Sequence, residues 1–188
     1  MPKSIQEGNL IFTFEDPWHV VKYDEEAVFT KKLERLKGTV DGKQRDTVAV
    51  DFLAANGDML AIIEVKDFRQ HRIENQGRLR SGELAKEVAF KVRDTLAGIV
   101  AACRNQTTGP GWDPIAERLM ARTKTLKVVL WLEQDPPASR YLLKEKQMLS
   151  TFTQELKKRC KWLTPKVLVM NRNTHCGIPG LSVQDAPE

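Results

Sequence analysis

A single α/β domain built around a mixed sheet flanked by helices is the fold class this sequence predicts, and three observations carry it. The chain has 188 residues, 41% of them apolar and 29% charged, which is the length and usage of one globular domain. Two apolar runs, Thr47 to Ala54 and Met59 to Asp67, flank Ala55-Asn56-Gly57-Asp58, and Asn-Gly between such runs is the strongest short hairpin signal. Further on, apolar strands alternate with long amphipathic segments, the pattern of strand-helix-strand units whose sheet is covered on both faces.

The elements follow in order. Asn9 to Phe14 alternates and reads as a short strand, with a turn at Asp16-Pro17-Trp18. Asp24 is placed to cap a helix to about Lys37, with Glu25 and Glu26 in its first turn, Phe29, Leu33 and Leu36 as its stripe and Gly38 as its end. The hairpin comes next, and the charged stretch from Phe68 to Gly82 reads as a solvated connection. Glu83 to Arg104 is a long helix whose buried stripe is Leu84, Val88, Val92, Leu96, Ile99 and Cys103. Asn105 to Asp113 is a loop, and Pro114 opens a shorter helix at its first position. Leu126 to Leu132 is a buried strand closed by Asp135-Pro136-Pro137, Ser139 to Cys160 a third major helix, and Lys166 to Met170 another short buried strand. The core then spans about 24–170, and 171–188, with Gly, Pro and little periodicity, reads as a loosely held tail.

The hairpin also carries the chemistry. With Asn56-Gly57 as a two-residue loop, Asp51 faces Ile62 and Glu64 faces Ala49. Alternation then puts Asp51, Ile62, Glu64 and Lys66 on one face, with Asp51 and Glu64 as diagonal neighbours roughly 5–8 Å apart. Both faces of these strands are otherwise apolar, so the two carboxylates must be ion-paired or hold a metal, because an isolated buried charge is very costly. From the residues alone, a divalent-metal site and a structural ion pair of Lys66 with Asp51 or Glu64 both satisfy this.

The segment TVAVDFLAANGDMLAIIEVKDF resembles the core of the PD-(D/E)XK nuclease superfamily, the restriction-endonuclease-like fold. That family carries an acid on one strand and acid-any-Lys on the next; Asp51, Glu64 and Lys66 match these positions, and the order of flanking elements over about 24–133 agrees. Val50 stands where many members have Pro. The resemblance implies hydrolysis of DNA phosphodiesters, with Asp51, Glu64 and the Val65 carbonyl holding Mg²⁺ or Mn²⁺. It gives Lys66 the role of orienting or deprotonating a water, or of neutralising the phosphate; burial near a metal would favour the base role by lowering its pKa. Many members place a further acid on the first helix, which Glu26 could supply, and Lys86 and Lys91 on the following helix could touch phosphate. Arg69, Arg72, Arg78 and Arg80, in the connection that leaves Lys66, could clamp a nucleic-acid backbone. Trp112 could stack on a base or pin its loop to the core.

Composition bounds the alternatives. Lys and Arg exceed Asp and Glu by 30 to 25, a charge of +5 that mildly favours a polyanionic partner. No run approaches the roughly 20 apolar residues of a membrane helix, and the first residues lack a secretory pattern. Cys103, Cys160 and Cys176 form no CxxC pair or disulfide framework, which fits a reduced, cytoplasmic setting. A zinc site from Cys160, His175 and Cys176 lacks a fourth ligand. Phosphate-loop, HExxH and GxSxG motifs are absent. Two functions remain: a metal-dependent nuclease, working as a homodimer or in a larger complex since no separate DNA-reading module is evident, or a non-catalytic nucleic-acid-binding or assembly subunit whose motif residues form an ion pair.

Overall fold

The β6–β7 hairpin is the centre of the architecture: β6 (Phe52–Asn56) and β7 (Met59–Asp67) pair antiparallel in the middle of a five-stranded sheet. The computed structural model describes residues 1–26, 29–30, 38–40, 43–45, 47–105, 112–174 and 177–187; 38–40, 43–45 and 72 are described by their backbone alone. Before the hairpin come β1 (Lys3–Glu7), β2 (Leu10–Phe14), β3 (His19–Lys22) and a small antiparallel pair, β4 (Gly38–Val40) with β5 (Lys43–Arg45). After it come α1 (Arg72–Ser81), α2 (Glu83–Arg104), α3 (Asp113–Met120), β8 (Thr125–Glu133), α4 (Leu142–Cys160), β9 (Val167–Met170) and β10 (Leu181–Asp185). The main sheet runs β3-β6-β7-β8-β9, with β7, β8 and β9 parallel and the rest antiparallel, so it is mixed as expected.

The two faces of this sheet are covered differently. Leu53, Ala55, Leu60, Ile62, Val128, Leu130 and Leu132 pack against apolar residues of α1, α2, α3 and α4. Phe52, Ala54, Ala61, Ile63, Val65, Val129 and Trp131 face a second, three-stranded sheet of order β1-β2-β10. Phe12 of β2 seals the two sheets, meeting Phe52 edge-on at 5.1 Å and Trp131 at 5.3 Å. Among the described residues the helices α1 to α4 cover one face of the mixed sheet, as the expected class requires, and a second sheet covers the other. A fully apolar strand reports that both its faces are buried, not what buries them.

The tail is also corrected. Residues 181–185 form β10, which pairs with β2 in register Leu181↔Phe14 to Asp185↔Leu10, and Ile178 and Leu181 enter the core. Part of the charged connection after the hairpin is helix α1; it buries Leu79 and little else, so no apolar stripe announces it. Gly82 ends α1 at φ +74°, a left-handed position that suits glycine, and α2 starts at the next residue. The boundaries of α2 fall where its periodicity places them. Of the helix expected from Asp24, Tyr23–Glu25 form a single 3-10 turn, and most of the remainder lies outside the described residues.

The register differs from the one expected, by two residues. The two-residue loop is Gly57-Asp58, and Asn56 is the last strand residue, opposite Met59. Its side-chain oxygen accepts the Asp58 N–H at 3.3 Å, so Asn56 caps the turn rather than forming it. A shift of two leaves every side chain on its expected face, because the strand period is two. No helix among the described residues is long and apolar enough to cross a membrane.

Candidate active site

Asp51 stands just outside the ladder. Continued one step beyond Phe52↔Ile63, the register would bring Asp51 opposite Glu64 rather than Ile62, and Lys91 of α2 reaches both carboxylates. Residues 47–50 are not strand, although their composition reads as one, because α2 takes their amides. Val48 N–H donates to Asp94 Oδ2 at 3.3 Å, and Val50 N–H to the buried Thr95 Oγ1 at 3.1 Å. Asp51 Oδ2 then accepts the Val65 N–H at 2.6 Å, and the Asp51 carbonyl accepts the Tyr23 N–H at 2.8 Å. The carboxylate is fixed by backbone on the next strand and is 7% exposed.

Glu64 is 1% exposed. Lys66, two residues along the same face, lies 2.9 Å from its Oε1, and Lys91 of α2 lies 2.7 Å from the same oxygen and 3.9 Å from Asp51 Oδ1. Glu64 Oε2 is buried with no hydrogen-bond partner among the described residues. Lys66 also pairs at 3.1 Å with Glu87, which in turn holds Arg78 at 2.5 Å. Helix α2 thus presents Glu87, Lys91, Asp94 and Thr95 toward the hairpin, at the helical spacing of one face.

These contacts set the charge states. Burial, reinforced by Asp51, pushes the Glu64 carboxyl up to about 7 against the pull of Lys91 and Lys66. Burial also raises Asp51, opposed by Lys91 and by the Val65 N–H. Burial alone would lower Lys66, but Glu64 and Glu87 outweigh it and hold the ammonium well above its ordinary value. Without a metal, then, Lys66 is held as a cation by its two acidic partners, opposite in direction to the lowering expected beside a metal.

A second group of acids meets Asp51 from the N-terminal side. Glu7, Asp24 and Asp51 each bring a carboxylate oxygen within 4.8 Å of the others. Asp24 Oδ1 is buried without a hydrogen-bond partner among the described residues. Burial, then Asp51 and Glu7, pushes its carboxyl up to about 6. Glu7 carries an ion pair to Lys22 at 3.2 Å. Sequence reasoning missed both acids: Asp24 reads as a helix cap, and Glu7 reaches the site only through the β1–β2 sheet. No local pattern marks such long-range approach.

The other candidates divide. Lys91 is in the site, and Arg78 reaches it through Glu87. Glu26 is half-buried and follows the 3-10 turn; with His19, Lys22, Glu25 and Trp112 it lines a cleft of about 610 Å³, while Asp24 is the acid that meets Asp51. Lys86 is exposed, with Nζ 5.6 Å from the Phe90 ring centre. Arg69 is engaged by Asp67 and Asp185 at 2.5 Å each, and Arg80 is exposed beside α4. The Arg72 side chain lies outside what is described. Trp112 is 4% exposed and meets Tyr23 edge-on at 5.6 Å, so it pins its loop to the core. Cys160 is buried; His175 and Cys176 lie outside the described residues.

No protein-family model matches the chain, and no solved structure matches it. It is similar to a curated protein, a cysteine--tRNA ligase of Neisseria meningitidis serogroup A / serotype 4A (strain DSM 15465 / Z2491), with 27% identity over 179 residues. The alignment covers 80% of this chain and 25% of the ligase, so the chain spans about a quarter of the length of that relative.

Proposed function

We propose that the chain is a metal-dependent nuclease of the restriction-endonuclease-like kind, hydrolysing DNA phosphodiesters at Asp51, Glu64 and Lys66. The observation that carries the reading is a pair of buried carboxylates, Asp51 just before β6 and Glu64 on β7, bridged by Lys91 and with Lys66 two residues on from Glu64. The donor set suits Mg²⁺ or Mn²⁺: it is all oxygen, and Glu64 Oε2 and Asp24 Oδ1 are buried without hydrogen-bond partners among the described residues. Asp51, Glu64 and the Val65 carbonyl would hold the ion; Glu7 and Asp24 meet Asp51 from its other side, in a group that does not include Glu64. A bound divalent ion supplies Lewis acidity toward phosphate oxygens and lowers the pKa of a coordinated water. Lys66 would orient or deprotonate that water, or neutralise charge that develops on the phosphate. Lys91 balances the acids before an ion binds and is placed to meet a phosphate oxygen once it leaves Glu64.

The second reading is a non-catalytic nucleic-acid-binding or assembly subunit. It is favoured by one observation: both lysines already sit on Glu64 Oε1, which is how a structural ion-pair network satisfies a buried acid. Incubation with plasmid, linear duplex, single-stranded DNA and tRNA, in Mg²⁺, Mn²⁺ or EDTA, tests the nuclease. The tRNA belongs in the panel because the similar ligase is named for it. Cleavage that requires metal and disappears in both Asp51→Asn and Lys66→Met is expected. Cleavage surviving both substitutions, or none on any substrate, would overturn the assignment.

A further inference from the structure

At the end of the sheet away from the acids, the loop after α4 meets the start of β8. Thr164 Oγ1 donates to the Leu126 carbonyl at 2.8 Å, Lys166 Nζ reaches Thr125 Oγ1 at 3.1 Å, and Val128 N–H donates to the Lys166 carbonyl. Thr125 pairs with Met59, five residues back along β7 from Glu64, roughly 16 Å at the strand rise. This end is basic. Residues 157–166 read Lys-Lys-Arg-Cys-Lys-Trp-Leu-Thr-Pro-Lys, with five cations and no acid. Leu156 and Cys160 face the core, which turns Lys157, Lys158, Lys161 and Trp162 outward. Glu155 takes Arg159 at 2.9 Å and touches Lys158 only at 3.9 Å. Lys157, Lys161 and Lys166 make no ion pair among the described residues. Asp58, at the neighbouring hairpin tip, is engaged by Lys124 at 2.7 Å.

The helix dipole accounts for cations in the last turn of α4. It does not account for Trp162, which is 61% exposed while Trp18, Trp112 and Trp131 are 8%, 4% and 0% exposed. An exposed indole in a segment whose Lys157, Lys161 and Lys166 make no ion pair among the described residues has the chemistry that single-stranded nucleic acid recognises: phosphates for the ammonium groups and a base face for the ring. We propose that Lys157, Lys158, Lys161, Lys166 and Trp162 form a platform that binds the backbone of a single strand and stacks one of its bases on Trp162. The inference rests on the nucleic-acid reading above and concerns binding, not hydrolysis.

The test uses the whole chain in EDTA, with a single-stranded oligonucleotide of about 15 nucleotides. Because the other three tryptophans are buried, quenching of intrinsic fluorescence on stacking reports on Trp162. Saturable quenching is expected in the unaltered protein and none in Trp162→Phe. Trp162→Ala should weaken binding, read from anisotropy of a labelled oligonucleotide, by at least about fivefold. Replacing Lys157, Lys158 and Lys161 with Gln should flatten the slope of log affinity against log salt by about 2. Unchanged affinity in both variants overturns the platform. So does a change in sedimentation mass on Trp162→Ala with unaltered oligonucleotide binding, which would assign the indole to a second copy or another protein. Asp51→Asn is run in parallel. Platform-dependent binding with no cleavage in Mg²⁺ sinks the nuclease reading alone, and cleavage with platform-independent binding sinks the platform alone.

Discussion

Lys91 of α2 places its ammonium 2.7 Å from Glu64 Oε1 on β7, and this contact joins the helix layer to the most buried acid of the hairpin. Removing one partner of a buried pair costs more than the pair contributes, because the other charge is left uncompensated. Lys91→Met is therefore expected to destabilise the protein by about 1–3 kcal/mol, part of the charge being retained by Lys66. Combined with Glu64→Gln it should show a coupling of about 0.5–3 kcal/mol in a double-mutant cycle by urea unfolding. Strict additivity would mean that the contact carries no weight in solution.

The pH dependence of stability follows from the buried acids. Glu64 is raised from its ordinary 4.5 to about 7, and Asp24 from 3.8 to about 6. The folded chain then holds protons in a range where the unfolded chain has released them, so metal-free stability falls as pH rises from about 4.5 to 7. Urea midpoints measured across that window should decline, by an amount on the order of several kcal/mol in all. Glu64→Gln should flatten the curve. On the proposed metal-site reading, a divalent ion is expected to reverse the trend, because ionised acids bind it and its affinity then rises with pH.

Thr95 acts on Asp51 through the backbone. Its hydroxyl accepts the Val50 N–H one residue before Asp51 and is fully buried. Thr95→Val keeps the shape and removes the acceptor, at an expected cost of about 1–3 kcal/mol for the orphaned amide. Because Asp51 is released with it, metal affinity should fall while Thr95→Ser retains both. Equal metal affinity in the valine and serine variants would show that Val50 does not set Asp51.

How much of this could be read in advance follows from which residues act locally. The α2 helix was legible because its apolar spacing is set by its own sequence. The shared face of Asp51, Glu64 and Lys66 was legible despite the displaced register, because a shift of two preserves alternation. Strand β1 was not legible, since it is polar and largely exposed, and α1 was not, since only Leu79 is buried. Residues 47–50 carry strand-like composition but give their amides to Asp94 and Thr95, a tertiary competition that no window of sequence contains. Asp24 and Glu7 join the site for the same reason.

The C-terminal strand is a test of the second sheet. β10 pairs with β2 along five residues, and Leu181 and Ile178 are 5% and 2% exposed. Truncation after residue 176 removes both and uncovers Phe12 and Phe14, so a loss of several kcal/mol is expected at about 1.5–3 kcal/mol for each large apolar side chain. Dye binding to exposed apolar surface should rise along with the lower melting temperature. A truncated chain that melts at the original temperature would mean that residues 181–185 are loosely held after all.

The buried carboxylates of Asp51 and Glu64 either take a divalent ion or serve only as partners for Lys66 and Lys91. Calorimetric titration of Mn²⁺ into the metal-free protein near neutral pH, with melting temperature followed in parallel, measures this directly. The metal-site reading predicts saturable binding and a stabilisation of about 2.7 kcal/mol at a hundredfold excess over Kd, both lost in Asp51→Asn and in Glu64→Gln. Absence of binding and of any shift in the unaltered protein would contradict it and leave Glu64 as the buried member of an ion-pair network.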